Sequence, residues 1–299
     1  MPCDDWQNYQ IFNEILYLCT MKKSLRLLLL LFSFVILYSC GFQKLVKNGS
    51  VDEKYEAAMK YYNEKDYSHA LQLFDQLVGI MRATDKAENI YYSYSYCYYN
   101  QKDYTLASYY FKRYANNFPN SARAEECLFM SAYCNFLSSP VYSLDQTITY
   151  EAIKDLQLFT NMYPKSKRVS ECNDLIDKLR EKLERKDYRI AKMYYRMEDY
   201  SASIQAFNNI LKEFPETTRK EEILFLIFKS YHKFAKESVE VKKKERHTKA
   251  INAYNEFIAQ FPQSQFLAEA NGLKEKSRIE LDRLYENDQK KLGQTQGVK

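Results

Sequence analysis

Three histidines, His69, His232 and His247, are the residues of this 299-residue chain best suited by type to general acid–base catalysis or metal ligation. Their placement supports neither. Each falls in its own helical or insertion segment, and no nucleophile or ligand set converges on it from a shared motif. A phosphate-cradling loop needs glycines clustered behind a strand, and the six glycines here follow no strand pattern. No close Cys-x-x-Cys pair offers metal-ligand spacing, and the abundant carboxylates fall on polar helical faces where hydration accounts for them. The chain is therefore expected to be no enzyme and to hold no metal, nucleotide or other cofactor beyond the lipid considered next.

The elements that position any recognition surface begin after a targeting segment. Met21-Lys22-Lys23-Ser24-Leu25-Arg26 is a basic start, and Leu27 to Tyr38 is an apolar run of about a dozen residues closed by Ser39-Cys40-Gly41. That run is shorter than the about 20 residues a stable membrane-crossing helix needs, so it predicts a cleaved secretion signal over 21–39. Leu37-Tyr38-Ser39-Cys40 resembles a bacterial lipobox, with Tyr38 where a smaller residue is usual. The resemblance implies cleavage before Cys40, acylation of that cysteine and a tether over 40–50. It also implies outer-membrane retention, because Gly41 stands where an aspartate favours the inner membrane. No acidic run follows to resemble a surface-export signal, so the body is expected on the periplasmic face. Residues 1–20, with Asp4, Asp5, Trp6 and Glu14, do not look like part of a signal, and Met21 is expected to be the true start.

Four of the six prolines recur in one phrase: Phe118-Pro119-Asn120-Ser121, Tyr163-Pro164-Lys165-Ser166, Phe214-Pro215-Glu216-Thr217 and Phe261-Pro262-Gln263-Ser264. They lie 45, 51 and 47 residues apart. Twelve residues before them stand the small residues Ala107, Ala152, Ser203 and Ala250. Eight before are Phe111, Leu156, Phe207 and Tyr254, and five before are Tyr114, Phe159, Ile210 and Phe257, which keeps the bulky groups on one helical face. Each unit thus has a helix stopped by its proline, and the Ser or Thr two residues later is expected to cap the next helix. A second helical pattern lies upstream, joined through polar turns at Lys65-Asp66-Tyr67, Lys102-Asp103-Tyr104 and Glu198-Asp199-Tyr200.

This helical hairpin resembles the tetratricopeptide repeat. Its clearest copy carries Tyr91, Tyr94, Ser95, Tyr98, Ala107, Phe111 and Pro119 at the characteristic positions; the first keeps Ala70 and Phe74 but has Arg82 in place of the proline, and the fourth has Tyr194, Phe207 and Pro215. The expected fold is all-α, a right-handed superhelical solenoid of about five such hairpins over 51–285, with a capping helix from Ser264 to about Leu292 and a polar tail over 286–299. Insertions near Ser138 to Gln146 and near Glu237 to Thr248 are expected to lengthen the third and fifth repeats. In the resembled repeat, positions spaced by four and then three on the first helices line the concave face. That register selects Tyr55, Met59 and Tyr62, then Tyr92, Tyr96 and Tyr99, and in the fourth repeat Tyr188, Lys192 and Tyr195. Asn63 and Asn100 follow the last tyrosines and are suited to hydrogen-bonding an extended backbone. Tyrosine combines a large apolar face with a polar tip, which suits peptide recognition. Tyr91, Tyr94 and Tyr98 on the opposite side of the same helix leave the alternative open that aromatics here simply fill the core. The final helix, with Lys274 and Arg278 among its basic residues, reads either as a cover for the last repeat or as a docking surface.

Beyond residue 40 about 260 residues carry the net charge of +5, since residues 1–40 hold three basic and three acidic groups. This mild basicity predicts no nucleic-acid partner. Lys242-Lys243-Lys244 reads as a solvated loop or as a contact for an anionic partner. With Cys40 acylated, Cys97, Cys127, Cys134 and Cys172 remain; Cys127 and Cys134 share a helical face too far apart for a disulfide and read as core residues.

The lipobox, the five repeats and the Phe-Pro-x-Ser endings together resemble the BamD family of outer-membrane β-barrel assembly lipoproteins, over roughly Met21 to Leu284. The resemblance implies a BamA-like barrel with periplasmic POTRA domains as partner, docked by the carboxyl-terminal repeats. It also implies unfolded outer-membrane proteins with aromatic ends as the cargo of the amino-terminal repeats, and a lipid anchor in the outer membrane. Alternatives within the binding class are a secretin pilotin or a cell-wall coordination factor. A sugar-binding lipoprotein would need tryptophans, and only Trp6 exists; a cell-wall hydrolase would need catalytic motifs the chain lacks.

Overall fold

The structure, a computed structural model, describes residues 41–82 and 84–296, with side chains to residue 290. The expected signal and Cys40 lie outside these residues. After a helix over residues 41–48, eleven helices follow: α1 (Val51–Asn63), α2 (Tyr67–Ile80), α3 (Ala87–Asn100), α4 (Tyr104–Asn117), α5 (Ala124–Ser138), α6 (Thr147–Met162), α7 (Val169–Arg196), α8 (Tyr200–Glu213), α9 (Lys220–Lys236), α10 (Glu240–Gln260) and α11 (Leu267–Gln296). The described residues contain no strand, and the fold is all-α.

The chain divides into two compact units. The first is the part up to Ser138 with Asn161–Tyr163, and the second comprises Ser139–Thr160 and the part from Pro164 onward. In the first unit α1 packs on α2, α2 on α3, α3 on α4 and α4 on α5. In the second, α7 packs on α8, α8 on α9, α9 on α10 and α10 on α11. Each contains a run of tetratricopeptide-like helices in which successive members pack on one another.

Local chemistry sets the helix ends. Ser50 and Glu53 form a reciprocal capping box at the start of α1. Between the helices of three hairpins the chain turns through the left-handed region at Lys65, Lys102 and Glu198, with φ of 63°, 64° and 63°. The next residue, Asp66, Asp103 or Asp199, then caps α2, α4 or α8 through its carboxylate. The small and bulky positions predicted from the proline register are all buried, and Phe74, Phe111, Phe159, Phe207 and Phe257 are completely inaccessible.

Several expectations need correction. The Ser and Thr after the prolines are not helix caps. Ser121, Ser166, Thr217 and Ser264 accept from the backbone two residues on, while Lys86, Arg168 and Arg219 hold the N-cap positions of α3, α7 and α9 without a side-chain capping bond. Lys242-Lys243-Lys244 lies within α10, not in a loop, because the fifth-repeat insertion extends that helix at its start. The 51-residue interval comes from α7, which is 28 residues long and carries an apolar face of Cys172, Leu175, Ile176, Leu179 and Leu183 ahead of the repeat-like part. The last helix continues to Gln296, through the boundary drawn at residue 285.

Candidate binding surface

In the first unit, the selected tyrosines of α3 meet a carboxylate from the next repeat. The hydroxyl of Tyr92 donates to Glu126 Oε1 at 3.2 Å, and that of Tyr96 donates to the same oxygen. The two rings lie 4.8 Å apart between centroids, Tyr96 abuts Phe111 at 4.9 Å, and Tyr99 lies 6.1 Å from Tyr96. On α1, Met59 receives a weak contact from Ser93, and Tyr62 stands against Tyr67. Burial raises the phenols of Tyr92, Tyr96 and Tyr99, with Glu126 adding to the rise at the first two, and pushes Tyr62 up to about 12. All four therefore stay protonated near neutrality and present donors.

Accessibility separates the predicted residues. Met59, Tyr62, Tyr92, Tyr96 and Tyr99 are half-buried, whereas Asn63 and Asn100 are exposed. The Asn100 amide donates back to Tyr96 O at 2.7 Å. Tyr55 is buried, with Lys86 Nζ 4.6 Å from its ring centroid. On the opposite face Tyr91 and Tyr94 are core residues, and Tyr94 donates to Asp75.

The Lys86 contact is one of a series. Arg123 lies 4.5 Å from the Tyr92 centroid and Arg219 5.5 Å from the Tyr188 centroid, so a basic residue just before the next first helix covers a tyrosine 31 positions earlier in all three cases. A second series joins the turn after three of the four repeat prolines to the preceding repeat. Ser121 donates to Glu88, Thr217 to Glu184 and Ser264 to Glu221, at 2.6, 2.7 and 2.6 Å. Tyr114 also donates to Glu88 at 2.6 Å, and Arg219 pairs with Glu184 at 2.7 Å. The hydrogen bonds from Ser121 and Tyr114 hold the Glu88 carboxyl below its ordinary value.

In the second unit Lys192 pairs with Glu222 at 3.3 Å and lies 5.2 Å from the Tyr188 centroid. Tyr188 is raised by burial and by a hydrogen bond with Glu222, and Tyr195 packs on Tyr200. One repeat later Lys229 pairs with Glu269 at 2.6 Å over Phe225. Lys274 lies against Tyr254, and Arg278 is tied to Glu275 and Asp282 of its own helix, so these two do not join the Tyr188 set.

The sequence reading omitted Glu126, Arg123 and a third row of aromatics. The step from Tyr55 to Tyr92 is 37 residues, and one more step lands on Phe129, Tyr133 and Phe136. These rings stack along α5, at 5.7 and 6.0 Å between neighbours. The signal was the matching interval between Ala87 and Ala124, both buried at the start of their helices.

Similar solved structures include the TPR domain of P58(IPK), with 14% identity over 85% of this chain and 68% of that one and a TM-score of 0.37. Another is the TPR2AB-domain:pHSP90 complex of yeast Sti1, with 10% identity over 76% and 98% and a TM-score of 0.36. No curated protein matches. The profile of the family described as YfiO, outer membrane lipoprotein, matches residues 47–247, which takes in α1 to α9, the three cation–tyrosine contacts and the Ser121–Glu88 and Thr217–Glu184 bonds. The chain belongs to this family, the BamD family of outer membrane lipoproteins.

Proposed function

We propose that the protein is a non-enzymatic scaffold of the β-barrel assembly machinery, anchored by lipid on Cys40 and facing the periplasm. The observation that carries this reading is the family match over residues 47–247. Attachment is assigned to acyl chains on Cys40, since two or more such chains hold a protein stably on a bilayer. Met59, Tyr62, Tyr92, Tyr96 and Tyr99, with Asn63 and Asn100, receive an extended segment of an unfolded outer-membrane protein, while Tyr55, buried under Lys86, supports this surface from beneath and is not a contact residue. The half-buried rings offer apolar faces, while the exposed amides suit a peptide backbone. Tyr188, Lys192 and Tyr195, and as a separate contact Lys274 and Arg278 of the final helix, dock a BamA-like barrel through its POTRA domains.

The test is purification of the lipoprotein from detergent-dissolved outer membrane and identification of what accompanies it. A stoichiometric POTRA-bearing barrel is expected. A secretin, or no barrel, overturns the assembly role and leaves the fold standing.

A further inference from the structure

The loop over residues 139–146 is built to hold an apolar tip away from the protein. Val141 and Leu144 are 64% and 57% exposed. The backbone beneath them is pinned: Leu144 N donates to Val141 O, and the buried Gln146 amide donates to both Val141 O and Leu144 O. From α7, Lys182 Nζ donates to Ser139 Oγ at 2.7 Å and Lys186 Nζ to Leu144 O at 2.6 Å. The ring of Tyr142 lies under Arg185 and Arg189, at 4.7 and 5.8 Å.

These cations form a stripe. Lys178, Lys182, Arg185, Lys186 and Arg189 follow a spacing of three and four along α7, which places them on one face. Among the described residues none of the five has an ion-pair partner within 4 Å; the acids beside them include Glu181, which lines the cavity of about 390 Å³ beside Val141, Asp145, which caps Thr147 and interacts with Lys186, and Asp187, which also interacts with Lys186. Exposed aliphatic side chains fixed beside an excess of positive charge match an anionic lipid interface, where apolar groups enter the headgroup layer and cations meet phosphates. Apart from Val141 and Tyr142, that cavity is lined by the charged Lys178, Glu181, Lys182 and Arg185 and so offers no apolar slot for a peptide anchor, whereas the aliphatic side chains of Val141 and Leu144 are themselves the exposed groups.

We propose that this loop and the basic face of α7 are a second membrane contact, with Val141 and Leu144 seated in an anionic phospholipid surface and Arg185 and Arg189 bound to its phosphates. It requires only membership of an outer-membrane lipoprotein family, and stands or falls separately from the assembly role. Because an acylated chain stays beside its bilayer, individually weak contacts are enough to orient it.

The experiment labels Val141→Cys in the full lipoprotein with an environment-sensitive fluorophore; Cys97, Cys127, Cys134 and Cys172 are buried and do not compete. Asn252→Cys, exposed on α10, is the control. In vesicles of phosphatidylethanolamine with about 30% phosphatidylglycerol and brominated acyl chains, the Val141 label is expected to be quenched and the control spared. Arg185→Glu/Arg189→Glu, or salt at about 0.5 M, should weaken that quenching on the order of tenfold. The proposal is overturned if the two labels are quenched alike, or if neither charge reversal nor salt changes the result. It is equally overturned if the Val141 label is shielded only in native membranes and not in lipid vesicles, which would assign the loop to a protein partner.

Discussion

At the scale of single residues, Glu126 and Glu88 have related tasks, since each gathers two hydroxyls: Glu126 takes both from the preceding repeat, and Glu88 takes one from its own hairpin and one from the turn that follows. Glu88 accepts from Ser121 and Tyr114, so Glu88→Ala leaves two hydroxyls without their acceptor. It should lower the stability of the first unit by about 1–3 kcal/mol in urea denaturation. Glu126→Ala frees the hydroxyls of Tyr92 and Tyr96, which are exposed enough to find water, so the expected loss is smaller. Capture of an aromatic-ended peptide should change more than stability does. Tyr96→Phe against Tyr96→Ala separates ring from hydroxyl: peptide affinity measured by fluorescence anisotropy should survive the first substitution and fall at least about tenfold in the second. Lys102 offers a gain. Its left-handed backbone penalises a side chain, and Lys102→Gly should raise the thermal midpoint, corresponding to about 0.5–1 kcal/mol.

At the scale of elements, the packing of α9, α10 and α11 buries two histidines. His232 bonds Ser277 Oγ at 2.8 Å, and His247, 6.2 Å away between centroids, has neither ring nitrogen bonded. Burial, with His247 and the lysines Lys276, Lys233 and Lys236 adding to it, pushes His232 down to about 4. Burial also lowers His247, opposed by Glu280 and helped by Lys243. An unfolded histidine titrates near 6.5, so below that pH the unfolded chain binds more protons than the folded one. Stability of the second unit should be complete above about pH 6.5 and decline as the pH falls toward 4. A thermal midpoint that stays constant across this window would refute the assignment, and His247→Leu should flatten the decline while adding about 1 kcal/mol at neutral pH.

The repeat helices were legible because Ala107, Phe111 and Tyr114 carry one periodicity and Pro119 gives it a phase. Phe111→Ala should accordingly cost about 3–5 kcal/mol. The 28-residue α7 was not legible, since its first half lacks proline and follows no repeat position. The helical start of α10 was missed for a related reason: a lysine run resembles a loop until Glu240 and Glu245 are seen pairing with Lys243 and Lys249. Within the candidate surface, register gave the tyrosines; Glu126 and Arg123 belong to it only because the next repeat folds back over the one before.

At the scale of the whole molecule, the family assignment and the predicted anchor make one prediction together. Cys40→Ser should release the protein from the outer-membrane fraction, read by fractionation and immunoblotting, while its helical circular dichroism stays unchanged. Retention in that fraction would show that acylation at this residue is not what holds it.

The series of inter-repeat contacts also sets an order of completion for a chain that emerges amino end first. Tyr92 waits for Arg123 and Glu88 for Ser121, intervals of 31 and 33 residues. The repeats joined in this way do not hold all their bonds until the threshold of the successor has appeared, so the most recently emerged of them is the unfinished one. Among the described residues the long α11 follows the last of these contacts along the chain, the bond from Ser264 to Glu221.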